Sequence, residues 1–407
     1  MSRPWSCLDG LQCARCGAEY PPDRPAGLCP HCGGPLMARY DLEAVGRLFR
    51  PSDLAGRPAS LWRYREVLPI QDPAEVVTLG EGWTPLVRLD RFRERYGLAE
   101  LYVKDEGRLP AGTVKARGAA VGASRAKELG IRHLVLAAAG SAGAAWGAYC
   151  ARAGLRLAVL MPADAPLPWV RAALTPGTKV VLVAGRPEDA RRLADQVGTA
   201  SGDWFNASAF KEPYQLEGAK TLAYELYEQL DWRPPDAVVC PVGNGVNMVG
   251  LWKGLQEMEG MGWIPGRKPR LIAVQAADCA PVVWAFAEGT EDCRPWTDGD
   301  TSVGELRVSN PPCGFLVLGA IRESGGWAVG VTDAEAEAAL DLVASVEGLS
   351  LCPEGAAAVA ALDRLSHEGI ISPGSRVVIL NTGTGLLAGR PGPVEVPVVK
   401  PDEPLPL

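Results

Sequence analysis

The chain has 407 residues, 47% of them apolar and 22% charged, with a formal net charge of −7. That length predicts two or three packed units rather than one small domain, and the composition is that of a globular protein. The acidic balance and the lack of any Lys/Arg-rich run exclude an electrostatic nucleic-acid footprint.

Met1-Ser2-Arg3-Pro4-Trp5 has no apolar core of signal-peptide length, so a cytoplasmic location is expected. Cys13-x-x-Cys16 and Cys29-x-x-Cys32 follow within the first forty residues. Two such knuckles supply four thiolates, the donor set of tetrahedral zinc. Gly17 and Gly33-Gly34 provide the tight turns. Residues 1–40 are therefore expected to form a zinc ribbon. With Cys13, Cys16, Cys29 and Cys32 all cysteine, the Zn2+ site is closed and structural; a ribbon that has lost or oxidised its metal stays open. The other cysteines read as reduced core residues.

Residues 41–75 carry short amphipathic pieces around Leu42, Val45, Leu48 and Phe49. From about Val76, apolar strand-like runs at 101–103, 133–136, 157–160, 180–183, 237–240, 271–274 and 377–380 alternate with helical patterns. The helices are expected at 142–153, 187–197, 216–230 and 333–346. Such alternation predicts an α/β fold whose parallel-rich sheets are covered on both faces. The uncharged stretch 134–151 is long enough for a membrane span, but its glycines make it strand, turn and helix, so no membrane partner is expected. The segment from Arg390 is Pro-rich and reads as an extended surface tail.

Three strands end in Gly-rich turns: Ala137-Ala138-Ala139-Gly140-Ser141-Ala142-Gly143, Pro241-Val242-Gly243-Asn244-Gly245-Val246-Asn247 and Asn381-Thr382-Gly383-Thr384-Gly385. Ligands of parallel sheets bind beyond the carboxyl ends of strands, and glycines let backbone N–H groups approach an anion. None of the three is a Walker loop, and together they favour a phosphorylated cofactor. Pro110-Ala111-Gly112-Thr113-Val114-Lys115-Ala116-Arg117-Gly118 places a lysine among small residues at a helix start, which suits covalent attachment of pyridoxal 5'-phosphate (PLP). Lys104 is a rival by charge alone. Its strand position points to pairing with an acid.

Gly80-Glu81-Gly82-Trp83-Thr84-Pro85-Leu86, Leu101-Tyr102-Val103-Lys104-Asp105-Glu106, Tyr214-Gln215-Leu216-Glu217-Gly218-Ala219-Lys220-Thr221, Pro353-Glu354-Gly355-Ala356-Ala357 and Thr382-Gly383-Thr384-Gly385-Leu386 resemble the motifs of the threonine synthase family. The likeness runs from about Leu11 to Leu387, and the zinc ribbon has counterparts there too. The resemblance implies a fold-type II PLP enzyme, tryptophan synthase β-like, with two α/β domains. A larger PLP-binding domain takes 41–110 and 217–390, a smaller substrate domain 111–216, and 391–407 is the tail. It implies that Lys115 is the Schiff-base lysine and that Gly243, Asn244, Gly245, Val246 and Asn247 hold the cofactor phosphate. Thr382 faces the pyridine nitrogen, and Ser141 meets the phenolic oxygen in place of the family's Asn.

The departures fall on substrate recognition. The family's Asn-Pro-Thr-Gly-Ser-Phe-Lys-Asp-Arg-Gly carries Leu109, Ala111, Val114 and Ala116 here, and its Ser-Thr-Gly-Asn loop is Ala138-Ala139-Gly140-Ser141. The family arginine that helps bind substrate phosphate is Gln215, and losing a charged fork there weakens phosphate recognition. Thr113, Ala138, Ala139 and Gln215 are thus the expected substrate positions; the tryptophans read as packing residues, though Trp83 lies where a substrate could touch it. The expected activity is elimination and replacement on an amino acid, O-phosphohomoserine to threonine in the family version, with O-phosphohomoserine itself expected to be a poor substrate unless Lys211 or Lys220 takes the arginine's place. Open alternatives are β-replacement or dehydration of a different amino acid, a PLP-fold binding protein without catalysis, and a hydrolase built on Ser141 as a nucleophile elbow. A homodimer is left open.

Overall fold

The computed structural model describes residues 4–387 apart from 201, 265 and 298; the expected tail at 391–407 lies outside the described residues. The chain begins with a small antiparallel sheet of β1 (Leu8–Cys13), β2 (Glu19–Tyr20) and β3 (Leu36–Tyr40) in the order β2-β1-β3. A short helix α1 (Leu42–Leu48) follows, capped by the Asp41 carboxylate on the Ala44 N–H. Then come β4 (Leu86–Arg88), α2 (Asp90–Arg95), β5 (Glu100–Asp105) and α3 (Lys115–Glu128).

Next is a run of alternating elements: β6 (His133–Ala137), α4 (Ala142–Ala153), β7 (Arg156–Pro162), α5 (Leu167–Leu174), β8 (Lys179–Val183), α6 (Pro187–Ala200), β9 (Trp204–Asn206) and α7 (Gln215–Gln229). These strands make a four-stranded parallel sheet, β8-β7-β6-β9. The rest of the chain supplies β10 (Ala237–Pro241), α8 (Val246–Gly260), β11 (Arg270–Ala276), α9 (Pro281–Ala287), α10 (Gly314–Glu323), β12 (Trp327–Val331), α11 (Asp333–Glu347), α12 (Pro353–His367) and β13 (Arg376–Asn381). Its strands join β4 and β5 in a six-stranded sheet, β12-β11-β10-β13-β5-β4, in which only the β4–β5 pair is antiparallel.

All seven strand runs read from the sequence are strands here. The continuous apolar pattern arises because both faces are covered. Val238 and Leu271 pack with α7, α8 and α10 on one side, while Val239 and Ile272 pack with α11 and α12 on the other. The uncharged 134–151 stretch resolves into β6, a turn and α4, and no described helix is long and apolar enough to cross a membrane. The short strands β4, β9 and β12 and the helices α5, α8, α9 and α10 were not among the expected elements.

Candidate active site

Lys115 opens α3, and the backbone before it is forced into shape. Ala111 and Gly112 both adopt left-handed backbone, φ +60° and +65°. A Cβ on Gly112 would sit 2.6 Å from the Thr384 methyl. This close approach lets the Val114 N–H reach Thr382 O at 2.9 Å and the Thr384 N–H reach Gly112 O at 2.8 Å. Two chain segments some 270 positions apart are stitched together by this pair of bonds, which brings Lys115 and Thr382 to one cleft.

The turn after β10 forms another wall. Gly245 has φ +87°, and α8 starts beyond it without any side-chain cap. The N–H groups of Val246, Asn247 and Met248 therefore lack intrahelical acceptors, as at any helix start, and together they favour an anion. A Cβ on Gly245 would lie 2.3 Å from a Val317 methyl, so the turn requires glycine. Lys115, Gly243, Gly245, Val246, Asn247 and Thr382 line one compartment of the cleft. The lysine amine, the uncapped helix start and the Thr382 hydroxyl are the donor set that an aldehyde, a phosphate and a ring nitrogen need, so these residues fit PLP.

A second compartment holds Lys115, Ala138, Ala139, Gln215 and Asn244. Thr113 does not reach it. Its buried hydroxyl donates to Ser141 Oγ at 2.9 Å. Ser141 is spent on Glu305, whose Oε1 accepts from the Ser141 N–H at 2.6 Å and from its hydroxyl. Gln215 donates to Ser208 O at 3.1 Å. Its own N–H and that of Tyr214 are held by the Glu212 carboxylate, each at 2.7 Å. Burial pushes the Glu212 carboxyl up to about 7.

Two charged residues in this compartment had no motif to announce them. Arg191, on α6, donates to Asn244 Oδ1 at 2.9 Å and to Asn310 O at 3.0 Å. Burial lowers its pKa, with the Glu188 charge opposing. Glu305, on a short turn at Gly304–Leu306, places Oε2 4.0 Å from Lys115 Nζ. Its N–H donates to Glu354 Oε1 at 3.1 Å. The Glu354 carboxyl is raised by burial and by the neighbouring Glu305 charge. The other arginine in the compartment, Arg307, pairs with Asp164 at 2.7 Å.

The remaining candidate lysines are committed elsewhere. Lys104 is fully buried and donates to Glu225, Gln229 and Thr84 O. Lys220 lies between Glu217 at 2.6 Å and Glu257 at 2.8 Å, and Lys211 pairs with Asp195 at 2.9 Å. Trp83 packs under the Arg63 guanidinium, 4.3 Å from ring centroid to Cζ, and does not line the cleft.

Away from the cleft, the Sγ atoms of Cys13, Cys16, Cys29 and Cys32 all lie within 4.8 Å of one another. Two of the spacings are 3.4 and 3.7 Å, near the edge of about 3.8 Å that a tetrahedron of zinc–sulfur bonds demands. Gly34 packs so close that a Cβ would touch Cys13 Sγ at 3.0 Å. The set fits a metal of the zinc class.

Residues 77–383 match the profile of a family described as pyridoxal-phosphate dependent enzyme. The threonine synthase of Methanocaldococcus jannaschii is 38% identical over 376 residues, 92% of this chain and 92% of that protein. The threonine synthase of Methanosarcina acetivorans is 37% identical over 374 residues, 92% of this chain and 91% of that protein. Among solved structures, serine racemase from Dictyostelium discoideum superposes with a TM-score of 0.61 at 21% identity, over 74% of this chain and 92% of that one. Likeness at that identity speaks to the fold alone.

Proposed function

The chain belongs to the pyridoxal-phosphate-dependent enzymes and is threonine synthase-like, and on that premise we propose that it converts O-phosphohomoserine to threonine at the Lys115 cleft. PLP supplies an electron sink for elimination and replacement on an amino acid. The protein's part is to hold and aim. Lys115 Nζ is the attachment point and the amine that can take up and return a proton. The α8 start, with Gly243, Asn244, Gly245, Val246 and Asn247, holds the cofactor phosphate through backbone N–H groups. Thr382 would offer the ring nitrogen a neutral hydroxyl, a partner that does not call for a charge on that nitrogen. Cys13, Cys16, Cys29 and Cys32 hold a structural Zn2+, and the division into ribbon, larger and smaller domain belongs to the same reading. A cytoplasmic location and a homodimer rest on the sequence reading alone.

The observation that carries the substrate assignment is Arg191, a half-buried guanidinium in the Lys115 compartment that donates to the neutral oxygens of Asn244 and Asn310. A dianionic phosphate group would give it a charge-assisted hydrogen bond where its bonds now go to neutral oxygens, in place of the arginine missing at Gln215. The test is steady-state kinetics of the holoenzyme with O-phosphohomoserine, following threonine and phosphate. A charge-assisted bond contributes roughly 1.5–3 kcal/mol, so Arg191→Ala is expected to lower kcat/KM by about tenfold to a hundredfold, and Gln215→Arg to raise it. No threonine from the wild type, or no response to Arg191→Ala, overturns the assignment. The alanines at 138 and 139 favour a second reading, dehydration or β-replacement of a smaller amino acid, and L-serine in the same assay separates the two.

A further inference from the structure

Glu305 is the acid nearest Lys115, yet the proposed reaction gives it no part. Its placement is built rather than incidental. The turn that carries it packs against the phosphate-loop side, where a Cβ on Gly243 would meet Glu305 O at 2.3 Å. Its carboxylate crosses the cleft to the start of α4, where a Cβ on Gly140 would meet Oε1 at 2.6 Å. Gly243 therefore makes room for the backbone of this residue, and the absence of a side chain at Gly140 lets its carboxylate reach the Ser141 N–H. It borders both compartments of the cleft, and a third beside them that Ser141, Trp169 and Thr382 line.

The carboxylate also stands at a telling distance from the amine. Oε1 takes the Ser141 N–H and hydroxyl, and Oε2 lies 4.0 Å from Lys115 Nζ. In an α-amino acid, the amine nitrogen and a carboxylate oxygen are three bonds apart, roughly 3 Å. An amino acid whose amine takes over the position of Lys115 Nζ can thus bring its own carboxylate within reach of the Ser141 donors that Glu305 now occupies. Two carboxylates cannot share the Ser141 donors, because like charges at such separation repel strongly.

We propose that Glu305 is a specificity-determining residue that competes with the substrate's α-carboxylate for Ser141 and swings aside when substrate enters. This rests on the reading of the cleft as an amino-acid site, though not on the identity of the amino acid. Glu305 therefore sets a threshold: a ligand that brings a carboxylate must displace it, and one without a carboxylate leaves it in place.

The test is titration of the holoenzyme with L-norvaline, which has no leaving group, and with L-norvalinamide, which has no carboxylate, followed by the absorbance of the bound cofactor. Glu305→Gln and Glu305→Ala are each compared with the wild type. Losing the competing charge is expected to tighten norvaline binding about tenfold or more, with norvalinamide changed less than about twofold. Unchanged or weaker norvaline binding in both variants overturns the proposal, as does an equal gain for the amide or a failure of norvaline to bind any form. If Glu305→Ala does not retain cofactor, the isosteric Glu305→Gln decides alone. Threonine formation is not a readout here, so failure of the O-phosphohomoserine assignment and failure of this proposal are told apart.

Discussion

Replacing Arg117 by methionine should destabilise the protein far more than any loss of packing would explain. Arg117 lies two residues beyond Lys115 on α3 and is fully buried. Its fork donates to Glu106 at 2.6 and 2.8 Å, to Glu225 at 2.9 and 3.0 Å, and to Thr221 at 3.1 Å. Glu225 is held well below the usual carboxylate range by Arg117 and Lys104, against the opposing effect of burial. Methionine is close in volume, so the cavity cost is small. What remains is two buried carboxylates beside Lys104 alone, and breaking a buried pair in this way costs about 3–5 kcal/mol. Against a typical total of roughly 5–15 kcal/mol, that is a large fraction. Urea denaturation of the holoprotein measures it as a shift in midpoint at constant slope. Arg117→Lys keeps the charge but loses the fork, and should fall between methionine and wild type. A loss below about 1 kcal/mol for Arg117→Met would refute the claim that the buried ion pairs, rather than packing, set the cost.

The freshly purified, reduced protein should contain one zinc per chain, and Cys16→Ser should release it and expose mainly the N-terminal sheet to proteolysis, because metal binding there is folding energy; metal analysis without zinc sinks this. Glu212 gives a pH signature. Its folded pKa of about 7 lies above the unfolded value near 4.3, so the native state keeps a proton that the unfolded chain has already lost, and stability falls as pH rises through 7. Between pH 6 and 8 the loss is about 1.4 kcal/mol. Urea midpoints should show it in the wild type and not in Glu212→Gln; equal pH dependence in both would contradict it.

Much of this architecture was legible in the sequence because its signals are local. A strand buried on both faces, such as 237–240, writes a continuous apolar run whatever its neighbours are. The knuckle cysteines carry their own spacing, and Lys115 sits in a motif. What escaped is what only the tertiary fold assembles. Arg191 lies on the amphipathic helix α6, where an arginine reads as a solvated face, and only the approach of Asn244 and the carbonyl of Asn310 shows otherwise. Glu305 sits in a loop with no periodicity, and its meaning comes from Ser141, 164 positions away. Trp83 packs against Arg63, as the reading of the tryptophans as packing residues has it, and the substrate face its motif also offered goes unused. The strands β4 and β9 have three residues each, too few for a period to show, and Gly330 interrupts the apolar run of β12.

The account stands most directly on where the cofactor is attached. Borohydride reduction of the holoenzyme fixes PLP to its lysine, and peptide mapping by mass then reads the position. The account predicts the label on Lys115, and its disappearance in Lys115→Ala while the 243–247 turn still retains free cofactor. A label on Lys104, Lys220 or Lys253 would contradict it.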